Sequence, residues 1–268
     1  MSVDAGHSPL LVPRSRHGWL HISESCGAEP SKDRLDGRGA EHAGERACFV
    51  VVATVTTHFT PPQVRGGVAF RFVVLLVGLV VFAGGIVTIY ESELGLSPWD
   101  VLNQGIANHT PLSFGAANIA VSLLILAVAR KLDVRIRVGT VANAILVGAF
   151  VDLLLRIEAV QHLSDNPLPV RIGLLVAGIG ITAVGTALYI GAGMGAGPRD
   201  SLMIGLTRRL RRRVGVVRGG LEISATAVGF AFGGTVGVGT LAFALGIGPA
   251  VEWSFSLLAR SPLVARDP

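Results

Sequence analysis

The chain has 268 residues, of which 50% are hydrophobic and only 15% charged, with a formal net charge of +5. Its mean hydropathy is +0.60, and a soluble domain normally carries about 25% charged residues, so water cannot be its only solvent. The positive balance does not point to nucleic acid, because the basic residues lie between apolar runs of membrane length, where they read as topology signals.

Residues 1–65 hold seven Lys/Arg and seven Asp/Glu and sum to zero, so the remaining chain carries the whole net charge. Both cysteines, Cys26 and Cys48, fall in this stretch, as do five of the seven histidines, without the spacing of a disulfide framework or a metal site. It is not a secretory signal, since charges of both signs run through it and no apolar run sits near Met1. The apolar run 48–57 is about half the length that a membrane helix needs, and Pro61-Pro62 interrupts the chain before the first span. The expectation is a disordered cytoplasmic extension over 1–65 with no assigned function. The alternative is that translation starts further down, near Val64 or Val68, which the mass of the purified protein would decide.

The transmembrane domain is expected over 66–268. Its apolar segments are roughly 68–90, 113–129, 138–155, 170–192, 214–234 and 238–258, each near the ~20 residues that span a bilayer. Backbone polar groups in lipid must be paired within the protein, which favours helices. One side of these six spans receives Arg71, the 130–137 loop, the 199–213 loop, Arg260 and Arg266, thirteen basic residues in all, and the other side only Arg156 and Arg171. The positive-inside rule then puts the basic side, and with it both termini, in the cytoplasm of a bacterial inner membrane.

The core is an internal duplication: 68–158 recurs at 168–258 with an offset of 100 and no gap. Arg71 aligns with Arg171, Gly78 with Gly178, Gly85 with Gly185, Pro98 with Pro198, Asp100 with Asp200, Gly115 with Gly215, Gly148 with Gly248, and Asp152 with Glu252. Chance apolar similarity would not keep Gly, Pro and Asp in step over ninety residues. Three spans per unit is an odd number, so the halves should enter the membrane from opposite sides, as in the inverted repeats of many secondary transporters. The fold expected is therefore an all-α membrane protein with six transmembrane helices as an inverted 3+3 repeat and two short broken or re-entrant helices.

The short helices begin at Gly95-Leu-Ser-Pro98-Trp99-Asp100 and Gly195-Ala-Gly-Pro198-Arg199-Asp200. Pro at the first helical position with an acid two residues later marks a helix start, Ser97 or Gly197 serving as cap. A helix of 98–108 would be only ~16 Å long and could not span. Each aspartate has a structural reading, complementing its own helix terminus, and a functional one, lining a site for a polar or anionic solute between the two breaks. Trp99 reads as a wall of that site or an interfacial anchor, and Arg199 as a positive contact or a topology charge.

On the fifth span Arg218 and Glu222 are four apart and share a face; charges at such depth face a protein interior or a hydrated cavity, or hold helices together. Their counterparts are Asn118 and Ser122. Asn143 is a further intramembrane candidate, while Asp152 and Glu252 are expected near the surfaces and hydrated. The spacings Gly215-x-x-x-Gly219 and Gly229-x-x-x-Gly233 suggest close helix packing. Gly191-Ala-Gly193-Met-Gly195 imitates a dinucleotide loop but follows a membrane helix, not a strand, and is rejected. The core histidines, His109 and His162, are expected in loops.

The motifs Gly95-x-x-Pro98-Trp99-Asp100, Gly139-Thr140-x-x-Asn143, Gly195-Ala-Gly-Pro198-Arg199-Asp200 and Gly239-Thr240, with the Arg218…Glu222 pair, resemble those of the YczE/YyaS/YitT family of bacterial integral membrane proteins. The resemblance covers about 66–260 and implies the fold and the membrane location, but no substrate. The functional expectation is a transporter or exporter of a small molecule or ion, with a site at the repeat interface lined by Pro98, Trp99, Asp100, Asn143, Pro198, Arg199, Asp200, Arg218 and Glu222. The rival is a membrane regulator or scaffold that transports nothing. No catalytic set is recognisable, so no enzyme is expected, nor any cofactor or metal; the lipid bilayer is the expected partner and nucleic acid is not.

Overall fold

A computed structural model of the chain describes residues 62–264. The expectations for 1–61, including the disordered extension and the short apolar run 48–57, lie outside the described residues. Those residues form helices α1 (Val68–Ser92), α2 (Pro98–His109), α3 (Phe114–Lys131), α4 (Val138–Leu155), α5 (Glu158–Gln161), α6 (Leu168–Gly191), α7 (Pro198–Leu210), α8 (Val214–Ala231) and α9 (Val238–Arg260). No strand occurs among the described residues; one isolated bridge joins Val64 to Val264. Six helices, α1, α3, α4, α6, α8 and α9, are long and apolar enough to cross a membrane. Helices α2 and α7, of 12 and 13 residues, reach only about 20 Å at 1.5 Å per residue.

The centre of the molecule is the long contact between α1 and α6. Glycine makes it possible. A Cβ on Gly78 would stand 2.6 Å from the Tyr189 backbone nitrogen, one on Gly85 2.5 Å from that of Thr182, and one on Gly185 2.5 Å from that of Phe82. Because the obstacles are backbone atoms, no side chain can swing aside, and overpacking of this kind costs about 1–3 kcal/mol. Gly85→Leu is accordingly expected to lower the unfolding temperature of the detergent-solubilised protein clearly, whereas Gly84→Leu, whose Cβ would meet nothing within 4 Å, should leave it nearly unchanged.

Two arginines close the ends of this pair. Arg71 Nε donates to the Ala192 carbonyl at 2.7 Å, and Arg171 Nε to the Ser92 carbonyl at 2.8 Å. Each guanidinium thus satisfies a carbonyl left open where the opposite helix ends, and Arg171 also pairs with Glu93 at 3.0 Å. Both had been expected only as topology charges.

The loops leaving α1 and α6 turn sharply at Gly95 and Gly195, with φ of +121° and +144°, a backbone region that L side chains rarely enter. Each loop then rests on the start of a later helix. Gly239 N donates to Leu94 O at 2.7 Å, and Gly139 N donates to Met194 O at 3.1 Å, so the first turns of α9 and α4 have otherwise orphaned N–H groups satisfied by a loop. The Val-Gly-Thr sequences at 138–140 and 238–240 are the seats of those loops: a Cβ on Gly95 would meet Thr240 N at 2.9 Å and one on Gly195 would meet Thr140 N at 3.0 Å. From there α2 runs along α8 and α7 along α3.

The helix bounds agree with the sequence expectation to within a few residues. Three expectations are corrected. His109 ends α2, with its ring 5.5 Å from that of Phe232. Asp152 is not merely hydrated, since it accepts from Gly115 N at 2.8 Å and from the Ser113 hydroxyl. Of the two glycine pairs, Gly229 does pack, on the backbone of Val101 and Leu102, but Gly215 and Gly219 face open space.

Candidate functional site

The N-terminal ends of α2 and α7 meet. Ser97 caps α2, its side chain accepting from Asp100 N at 3.3 Å. Pro98 occupies the first helical position, where its lack of an N–H loses nothing. Asp100 engages side chains with its carboxylate. Its carboxylate accepts from the Ser97 hydroxyl, from Asn103 Nδ2 at 3.3 Å and from Arg199 Nη2 at 3.4 Å. The last bond links the two short helices across the molecule, and Asp100 is only 4% exposed there against 27% for Arg199. The Arg199 guanidinium also lies 5.5 Å from the centre of the Trp99 ring, within cation–π range. Trp99 and Arg199, which had interfacial and topological alternatives, therefore stack on one another.

Over these two ends lies a cavity of about 250 Å³. Helices α2 and α7 contribute Trp99, Asp100, Arg199 and Asp200 to its wall, and α8 contributes Arg218 and Glu222. Asn118 and Ser122 come from α3, Asn143 from α4, and Thr182, Thr186 and Tyr189 from α6. Phe82, Ile86, Val147, Phe243 and Ile247 form an apolar part of the lining. Of the nine residues expected from sequence, eight line this one cavity; Pro98 is buried and does not line it.

The charges are only partly balanced. Arg218 Nε donates to Glu222 Oε1 at 2.9 Å along α8, and Asp100 is paired with Arg199. Asp200 has no such bridge; its hydrogen-bond partner is the Tyr189 hydroxyl at 3.4 Å. Tyr189 is buried, with its ring edge-on to Phe82 at 5.7 Å. The cavity wall thus holds two carboxylate–guanidinium pairs and one further acidic side chain without a guanidinium partner of its own.

Several polar atoms of the wall are also left over. Asn118 Nδ2, Asn143 Nδ2 and Thr182 Oγ1 are buried without a hydrogen-bond partner, in residues 3%, 8% and 3% exposed. Buried polar groups are nearly always bonded, so an orphan in a cavity wall calls for an occupant that bonds it. Sequence reasoning did not place Asn118, Thr182 or Tyr189 in the site. For Asn118 the signal was its position opposite Arg218 in the repeat; Tyr189 offered only its place just before the second glycine loop. Among the described residues, no group of three or more His, Cys, Asp or Glu side chains is arranged to hold a metal ion.

Comparison with known proteins adds a family and no activity. Residues 69–255 match a family described as a family of unknown function (DUF6198). An uncharacterized protein of Haemophilus influenzae is 38% identical over 189 residues, covering 70% of this chain and 85% of that one. The uncharacterized membrane protein YczE of Bacillus subtilis is 30% identical over 188 residues, covering 69% and 85%. No solved structure matches.

Proposed function

The chain belongs to the DUF6198 family, in keeping with the YczE-type motifs it carries, and we propose that it is a carrier of a small zwitterionic solute across the bacterial inner membrane. The carrying observation is the meeting of two interrupted helix starts at a cavity whose wall holds unpaired polar groups. Interrupted segments at corresponding places in two halves are the usual location of a transporter site.

The reading includes an inverted repeat. The bonds that recur at the offset of 100 support it: Arg71 to Ala192 against Arg171 to Ser92, and Gly139 to Met194 against Gly239 to Leu94. Each crosses from one half to the other in reciprocal fashion, which supports a two-fold relation between the halves, and the odd number of spans per half is what inverts it. In that arrangement α2 and α7 are re-entrant, entering from opposite faces with their N-termini at mid-depth. By the positive-inside rule the excess of arginine supports an orientation with both termini and α7 on the cytoplasmic side.

The solute class follows from the lining. Asp200 and Glu222 suit an ammonium group, while Arg218 and the Asn118 and Asn143 amides suit a carboxylate or another acceptor. Two helix N-termini favour negative charge at the same place. Phe82, Ile86, Val147 and Phe243 suit a short apolar side. A cavity of about 250 Å³ lies below the ~300–1,000 Å³ of drug-sized sites, which fits an amino acid or a betaine.

The test is uptake and efflux of radiolabelled amino acids and betaines by the purified protein in liposomes, with Asp200→Asn and Arg218→Ala as controls. Saturable movement of at least one zwitterion by the parent protein, lost in both variants, is the expected result. Movement that the variants retain would detach the function from this cavity. No movement of any solute would favour the regulator or scaffold reading.

A further inference from the structure

We propose that the α3–α4 and α8–α9 hairpins are two alternately closing gates of the cavity, held here with the first shut and the second open. The inference rests on the carrier reading above and extends it to residues outside the solute site.

The shut hairpin closes at two glycines and one carboxylate. Gly115 and Gly148 are both buried, and a Cβ added to either would strike the other's carbonyl oxygen. Only glycine at both positions permits that crossing. Beside it, Asp152 accepts from Gly115 N at 2.8 Å and from the Ser113 hydroxyl, tying the start of α3 to the end of α4.

The same four positions of the second half are Arg213, Gly215, Gly248 and Glu252. Here α8 and α9 do not pack along their length, although α3 and α4 do. Gly215 and Gly248 are exposed, and a Cβ added to either would meet nothing within 4 Å. Arg213 and Glu252 are exposed and unpaired with each other. Glycine inside a helix is destabilising, and these two stand at the positions where their counterparts Gly115 and Gly148 meet, which fits another arrangement in which Gly215 and Gly248 meet as well. The replacements at the other two positions fit that arrangement: where the shut gate uses a hydroxyl and a carboxylate, the open one carries a guanidinium and a carboxylate of opposite charge.

The gap also borders the cavity. Gly248 from α9 and Arg218, Leu221 and Glu222 from α8 belong to the cavity wall, so bringing Gly215 onto Gly248 narrows the opening. With the orientation proposed above, the α8–α9 gate faces the cytoplasm and the α3–α4 gate the outside. A carrier needs both shut in turn. An exposed Arg213–Glu252 pair would be weak, which suits a latch that must release.

The test uses the full chain in liposomes, with Cys26 and Cys48 replaced by serine and cysteine pairs introduced at the gates. Ser113→Cys with Asp152→Cys and, separately, Arg213→Cys with Glu252→Cys are oxidised or bridged with a short bismaleimide. Both pairs are expected to cross-link within one copy, and zwitterion flux is lost in each and restored by reduction of the disulfide. Cross-linking needs no solute, so it separates failure of the gates from failure of the carrier reading. Absence of any intramolecular link at 213/252, with a full link at 113/152, would overturn the proposal. So would a 213/252 link that forms between copies, which would make the gap a dimer surface. As a second reading free of cysteine at the latch and at the glycine crossing, Arg213→Glu should increase labelling of Leu221→Cys in the cavity wall by a water-soluble maleimide, and adding Glu252→Arg should reverse it. Unchanged labelling in both would also count against the gate.

Discussion

Arg199→Ala is expected to be the most damaging truncation in the cavity, lowering stability and abolishing solute movement together. Its guanidinium is the cation beside the Asp100 carboxylate, at 3.4 Å, and Asp100 is only 4% exposed. Removing one partner of a buried pair costs about 3–5 kcal/mol, because the other charge is left without compensation. Arg199 is itself 27% exposed, so water in the cavity can hydrate the abandoned carboxylate and the low end of that range applies. Thermal unfolding in detergent measures the loss. Asp100→Asn in the same chain separates the causes: the amide removes the stranded charge and can still take the Ser97 and Asn103 bonds, so stability should largely return. Transport should not return, since the double variant lacks both the cation and the link between the two short helices. Arg199→Lys should rescue only in part, because an ammonium keeps charge but loses the planar stack on Trp99.

That pair also shows how far the sequence could be read. Hydropathy located the spans because lipid leaves the chain few choices beyond an apolar helix of set length. Pro98 and Pro198 marked the short helices because proline acts on its own residue and the one before it. What stayed hidden depends on distant neighbours. The Arg71 bond to Ala192 spans 121 residues and the Arg171 bond to Ser92 spans 79, and neither leaves a local trace; in sequence these arginines are only charges near apolar runs. Asp152 looked like a surface acid because nothing near it in the chain announces Ser113 or Gly115. The glycines at 215 and 219 matched a packing motif, yet spacing says that a close approach is possible, not which helix makes it or when.

The second large effect concerns Arg218 and Glu222, where stability and transport should part. The two lie one turn apart on α8, with side chains 51% and 27% exposed, and an exposed i,i+4 pair contributes only about 0.3–0.5 kcal/mol. Arg218→Ala should therefore hardly move the unfolding temperature. If the guanidinium meets the solute's carboxylate, however, the loss is that of a charge-assisted bond, about 2 kcal/mol, or roughly thirtyfold in affinity. Exchanging the residues, Arg218→Glu with Glu222→Arg, distinguishes a structural pair from a binding one. The exchange preserves the attraction, so a pair that only holds α8 in shape would recover fully. It also moves the positive charge about 6 Å along the helix, away from its present place in the cavity wall. Flux and binding that stay low in the exchanged protein, with an unfolding temperature like that of the parent, would make Arg218 a solute contact. Full recovery of flux would return the pair to a structural role and leave Asp200 and the asparagine amides as the site.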